Sequence, residues 1–240
     1  MKKIALVFVP ILISACAGGS SSSSSGSASV NAFTSWSATI AANAPVSFTG
    51  GSTSTMALDG TSTQTDADGT AILALGGNGI FSSISASTPT SSVAFSAVNG
   101  DTLQSGFFQT STIALNKAET TIGVFTNPTY YGFEYQTYGA WGAYGNATGP
   151  ANAISVGSAT PVTGIPATGS YVFSGGASGY YTDPTKFAYV TNANMTATVS
   201  FDARTVSFNT TGTNVSGSPS GSVIAAPDLN LAGTLSIASG

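Results

Sequence analysis

Few side chains in this 240-residue sequence could carry covalent or metal chemistry, and they fall into three sets. Cys16 is the single cysteine and stands directly after Ile13-Ser14-Ala15. Two adjacent tyrosine pairs, Tyr130-Tyr131 and Tyr180-Tyr181, carry phenolic oxygens, and tyrosine can serve as an axial ligand to haem iron. Asp66-Ala67-Asp68-Gly69 resembles the start of a calcium loop, because hard cations favour clustered carboxylates. The twelfth position of such a loop falls on Gly77 rather than glutamate, so a polar hairpin turn accounts for these residues more simply. Asp183 beside Pro184 and Asp202 near Arg204 also read as turn residues. The chain has no histidine. Ser–His and Cys–His catalytic pairs are therefore excluded. The usual zinc and copper ligand sets are missing, and a lone cysteine cannot form an internal disulfide. No catalytic residue, metal site or cofactor is expected, and the inventory is not that of an enzyme.

The surroundings of Cys16 give its thiol a use. Met1-Lys2-Lys3 is a short basic start, and Ile4 to Ile13 is an apolar run interrupted only by Pro10. That run is too short for a membrane-spanning helix, which needs about 20 apolar residues. With small residues before the cysteine, residues 1–15 read as a secretory signal peptide. Ile13-Ser14-Ala15-Cys16 resembles the bacterial lipobox, in which small side chains enter a peptidase cleft and the cysteine thiol accepts lipid. Ala17 to Ser29 contains only Ala, Gly and Ser, so residues 16–29 read as a flexible tether with no apolar surface to bury. Gly18 rather than Asp stands two places after the cysteine, which by resemblance to known lipoproteins favours the outer membrane.

The elements beyond the tether must position whatever this protein binds. Charged residues make up only 6% of the chain. With Lys2 and Lys3 removed, Lys117, Lys186 and Arg204 face nine acidic side chains, a balance that does not attract nucleic acid. Apolar residues alternate between turn signals, as they do where one face of a strand is buried. Thr196–Phe201 and Thr205–Phe208 around Asp202-Ala203-Arg204 predict a hairpin. Further strands are expected over Pro45–Thr49, Ala71–Leu75, Ser92–Ala97, Thr110–Leu115, Thr120–Phe125, Ser170–Ser174 and Leu229–Ile237. Asn78-Gly79, Asn99-Gly100 and Asp183-Pro184 punctuate them. No helical period is sustained, and many short strands with Gly-rich turns predict an all-β sandwich or barrel. Composition changes near residue 128, dividing an N-terminal β region (30–128) from an aromatic-rich domain (129–240). In the latter, Phe133, Tyr135 and Trp141 share strand parity while Tyr138 breaks it, which predicts a bulge or bend over Thr137–Gly139.

Several segments resemble the transferrin-binding-protein-like surface lipoproteins. Tyr135-Gln136-Thr137-Tyr138-Gly139-Ala140-Trp141 is similar to the first strand of their C-terminal barrel. Pro166 to Gly175, with Gly169-Ser170-Tyr171 leading to Gly175, is similar to the second. Met195 to Asp202 and Leu231 to Leu235 resemble later strands, and Phe33-Thr34-Ser35-Trp36-Ser37 the opening of the family's N-terminal region. The resemblance is carried by scattered motifs across residues 30–240. It implies a handle-like antiparallel β region followed by an up-and-down eight-stranded barrel. The family's closing Phe-Tyr-Gly and Gly-Gly-x-Phe strands do not precede Ser239-Gly240, and about five barrel strands are counted after residue 128. A truncated or reduced barrel is therefore expected.

The resemblance implies a non-catalytic outer-membrane lipoprotein, lipid-anchored at the cell surface or facing the periplasm. It would bind a host iron protein or haem, or an environmental ligand, for an outer-membrane transporter. The alternative is a structural or adhesive envelope lipoprotein with no discrete ligand. Binding residues do not carry over, because the family's contacts lie on variable loops. Candidates are Tyr144 and Asn146 in the long segment Gly142–Ile165, together with Tyr180 and Tyr181. A Cys16→Ala variant is expected to lose all lipid incorporation and leave the membrane fraction, as followed by metabolic labelling with a tagged fatty acid.

Overall fold

The computed structural model describes residues 5–8, 46–49, 51–56, 62–65, 69–76, 78–107, 110–131, 136–145, 149–157, 166–185 and 187–237. Cys16, the tether, Phe33–Ser37, Asp66–Asp68, Phe133, Tyr135 and Asn146 lie outside them. The fold is predominantly β, with every strand pair antiparallel. Numbered along the chain, β1 is Ala5–Phe8, β2 Val46–Thr49, β3 Gly51–Met56, β4 Ser62–Thr65, β5 Thr70–Leu75 and β6 Phe81–Thr88. Then come β7 Ser91–Ser96, β8 Thr102–Gly106, β9 Ser111–Leu115, β10 Thr121–Thr126, β11 Gln136–Ala143 and β12 Ala151–Gly157. The long strands β13 (Ser170–Thr182), β14 (Ala188–Ser200) and β15 (Thr205–Ser216) follow, with β16 (Ile224–Ala225) and β17 (Ala232–Ser236) last.

These strands form three sheets. The central one has the order β4-β3-β12-β11-β10-β9-β8. A second, β2-β5-β6-β7, packs on one face of it. There Leu73, Phe81 and Phe95 meet Phe125, Trp141, Ile154 and Val156 in one core. The third, β1-β13-β14-β15 with β16 and β17 both on β15, packs on the opposite face. Tyr180, Ala188 and Val190 there meet Ile113, Ile122, Val124, Tyr138 and Ala140. Residue parity sorts each central strand between the cores: Ala114, Phe125 and Trp141 go one way, Ile113, Val124 and Tyr138 the other.

Two-sided burial corrects two sequence expectations and leaves a third without support. β11 pairs with β10 and β12 without a register shift, so no bulge interrupts Thr137–Gly139. Tyr138 and Trp141 differ in parity because each fills a different core. Second, the segment Gly142–Ile165 is not one long loop: Ala151–Gly157 is a central strand, nearly all of it buried. Its small residues gave no alternation because both faces are covered, the situation in which hydrophobic-in, polar-out patterning disappears. Third, no closed barrel is present among the described residues. β11 and β12 join β3, β4 and β8–β10, whereas β13–β15 build another sheet. A barrel strand with one solvent-facing side would not bury Tyr138 and Trp141 together. The compositional change at residue 128 falls inside the central sheet's path, at the helical turn Pro128–Tyr131 between β10 and β11.

Other expectations match closely. The hairpin pairs Ser200 with Thr205 and continues through Ala197–Phe208. Asn78-Gly79 and Asn99-Gly100 lie in turns, with both glycines in the left-handed region. All seven further strand expectations overlap observed strands, although β13 extends to Thr182 rather than ending at Ser174.

A polar seam joins the third sheet to the central one. The Thr126 and Ser178 hydroxyls lie 3.0 Å apart, Asn192 donates to Ser178, and Thr110 donates to Asn192 Oδ1 at 3.2 Å. The Tyr138 hydroxyl donates to the Gly176 carbonyl at 2.6 Å. Such buried polar pairs penalise sliding of the sheets, since displacement leaves each group unpaired. On the other side, Phe125 stacks on Trp141 with ring centroids 6.3 Å apart. Phe125 also lies against Gly139, where a Cβ would strike the ring and stand 2.7 Å from the Val124 carbonyl oxygen. A Gly139→Val variant is expected to lose about 2 kcal/mol or more of stability by overpacking. Ile72→Ala, at a residue 49% exposed, should stay within about 0.5 kcal/mol. Urea unfolding followed by tryptophan fluorescence checks both.

Candidate functional site

Tyr180 and Tyr181 sit near the C-terminal end of β13, in the third sheet. Adjacent residues of a strand point to opposite faces, so Tyr180 and Tyr181 diverge. Tyr180 is 2% exposed and faces the central sheet. Its ring lies over Gly142, where a Cβ would approach within 2.7 Å, and its hydroxyl donates to the Ala143 carbonyl at 2.6 Å. Burial pushes its pKa up to about 12. This phenol is neutral and already committed, so it does not fit a role as a phenolate ligand to haem iron. Tyr144 is half-buried against the same core, and its backbone N–H donates to the Thr120 carbonyl. The structure thus brings Tyr144 and Tyr180 to one core as packing groups. Asn146 lies outside the described residues.

Tyr181 faces outward and is half-buried. Its cross-strand partner is Tyr189, with ring centroids 6.0 Å apart, and Phe187 lies 5.1 Å beyond Tyr189. Burial raises the Tyr181 pKa, with smaller contributions from the Asp183 carboxylate and Tyr189. The hairpin between β13 and β14 sets this row. Asp183 Oδ1 accepts from the Thr185 N–H, the Thr185 hydroxyl and the Phe187 N–H, closing the turn. Burial pushes the Asp183 pKa upward, but these hydrogen bonds outweigh it and hold the carboxyl below its ordinary value. Tyr189 and Phe187 were not singled out from the sequence. The signal was present: Asp183-Pro184 marks a hairpin, and pairing Thr182 with Ala188 makes Tyr181 and Tyr189 opposite neighbours.

The same outward face continues to the far end of the sheet, because β13 and β14 stay in register throughout. There Tyr171, Val199, Val206 and Leu235 pair across four strands, and Phe173, Ala197 and Phe208 form the next row. Tyr171 is 49% and Phe173 44% exposed. The reverse face at this end carries Thr196, Thr198 and Ser207. The other tyrosine pair also divides. Tyr130 is exposed, while the Tyr131 ring lies edge-on to it and reaches Gly176, and burial raises the Tyr131 pKa. Among the described residues no three His, Cys, Asp or Glu side chains group as a metal site, and no helix is long and apolar enough to cross a membrane.

Tyr180 gives a measurable pH signature. An unfolded tyrosine titrates near pH 10, and this one titrates near pH 12 when folded. Its preference for the folded state is complete below about pH 10 and is lost as the pH rises from about 10 through 12. Urea midpoints across that window should fall less steeply in Tyr180→Phe. At neutral pH that variant should be about 1 kcal/mol less stable, from the lost hydrogen bond. No protein-family model, curated protein or solved structure matches this chain.

Proposed function

We propose that this protein is a non-catalytic lipoprotein of the outer membrane, anchored through Cys16, that captures a ligand and presents it to an outer-membrane transporter. The observation carrying this reading is the lone cysteine behind a lipobox-like sequence, followed by a tether of Ala, Gly and Ser. Two acyl chains or more hold such a protein firmly, because each buried methylene contributes about 0.8 kcal/mol. The long sheet β13–β17 supports the capture role: it offers apolar and aromatic side chains across one uncharged face. The resemblance to transferrin-binding-protein-like lipoproteins supports the same role. The ligand class that follows is an iron-carrying protein. Haem held directly by Tyr180 is disfavoured, since that hydroxyl is already bonded to Ala143.

Protease shaving of intact cells tests the proposal. The body of the wild-type protein should be cut on intact cells, and iron-limited growth should fall when the gene is deleted. Protection until lysis would place the body in the periplasm and remove the capture of host proteins. Normal iron-limited growth with defective adhesion would favour the adhesive alternative.

A further inference from the structure

β13 is flanked on one side by β14 and on the other by β1. The register on the β1 side runs from Ala5 opposite Thr182 to Phe8 opposite Gly179. β1 also lies against β3 and β12, so it is the edge strand of the third sheet where that sheet meets the central one.

The proposed processing before Cys16 removes Ala5–Phe8 and leaves this edge without its strand. Four residues, Gly179-Tyr180-Tyr181-Thr182, then present backbone donors and acceptors, and no Lys or Pro among them blunts the edge. Both tyrosines are held from behind, Tyr180 by its bond to Ala143 and Tyr181 by Tyr189, so the edge is preorganised. The Asp183 carboxylate stands one residue beyond the Thr182 end, next to where an antiparallel strand begins.

We infer that in the processed protein Gly179–Thr182 is a docking edge for one extended segment of a partner protein, added as an antiparallel strand. The segment is apolar and uncharged over four residues, with a basic residue before them to meet Asp183. Main-chain hydrogen bonds supply the attachment, as in other strand-addition complexes. This inference rests on the proposed removal of the leader.

The test uses processed protein purified from membranes in detergent, with its N-terminus established by mass spectrometry. The probe is a fluorescein-labelled peptide corresponding to Lys3–Pro10, followed by fluorescence anisotropy. Saturable binding is expected. N-methylation of either Ala5 and Val7 or Leu6 and Phe8, whichever pair faces β13, should weaken it about tenfold or more. The Cys16→Ala precursor, which keeps its own β1, should bind about tenfold or more weakly as well. A processed monomer that ignores the peptide, or binds all N-methylated forms equally, overturns the docking edge. A processed protein that ignores the peptide and sediments as a dimer assigns the edge to a second copy and overturns the partner assignment. A leader still attached to the purified protein instead defeats the processing step.

Discussion

Burial of the central sheet on both faces is the constraint from which the rest of the structure follows. β9, β10, β11 and β12 carry almost no exposed residue, so each side chain must be matched in volume to a layer above or below. Where large rings meet, as Phe125 and Trp141 do, a glycine lies beneath them at position 139. Where the facing sheet approaches closely, Ala140, Ala151 and Ala153 line the contact. Interiors of this density tolerate neither voids nor added methylenes, which leaves variation to the edges and to the part of the third sheet that extends beyond the central one.

That third sheet does two jobs with one set of strands. The residues of β13 from Ala177 to Tyr180 are buried, whereas Ser170 to Ser174 are exposed. The buried half is locked by apolar contacts and the Thr110–Asn192–Ser178–Thr126 seam, whose hydrogen bonds would be lost by any sliding of the layers. The exposed half keeps the same alternation, with Tyr171 and Phe173 open to solvent beside the buried Ala197 and Val199 and the partly buried Val206 and Phe208. A single strand thereby passes from core to exposed surface without a break in register.

Scarcity of charge shapes how such a surface recognises anything. With 6% charged residues, long-range steering is weak and specificity has to come from shape, ring contacts and backbone hydrogen bonds. The few carboxylates described are largely occupied in turns: Asp183 closes the β13–β14 hairpin, Asp202 accepts from Gly169 N–H, and Asp101 accepts from Ser96 and Lys117 N–H. They order loops rather than form a charged patch. The reading of Asp183 and Asp202 as turn residues agrees with that geometry.

Local signals in the sequence determined the class of the fold, several turns and about half of the strand positions, because period-two alternation and Asn-Gly or Asp-Pro turns act within a few residues. The proposed lipidation of Cys16 likewise rests on its immediate neighbours alone. Layering was not legible. Tyr138 and Trp141 looked like a broken strand face because a single buried face was assumed, and β12 looked like a loop because Ala151–Gly157 has no alternation to detect. The candidate site was half legible: Tyr180 and Tyr181 were found, but their opposite roles and the partners Tyr189 and Phe187 depend on register and on which sheet lies behind. Burial on two faces is a property of three sheets brought together from distant parts of the chain, and no window of sequence contains it.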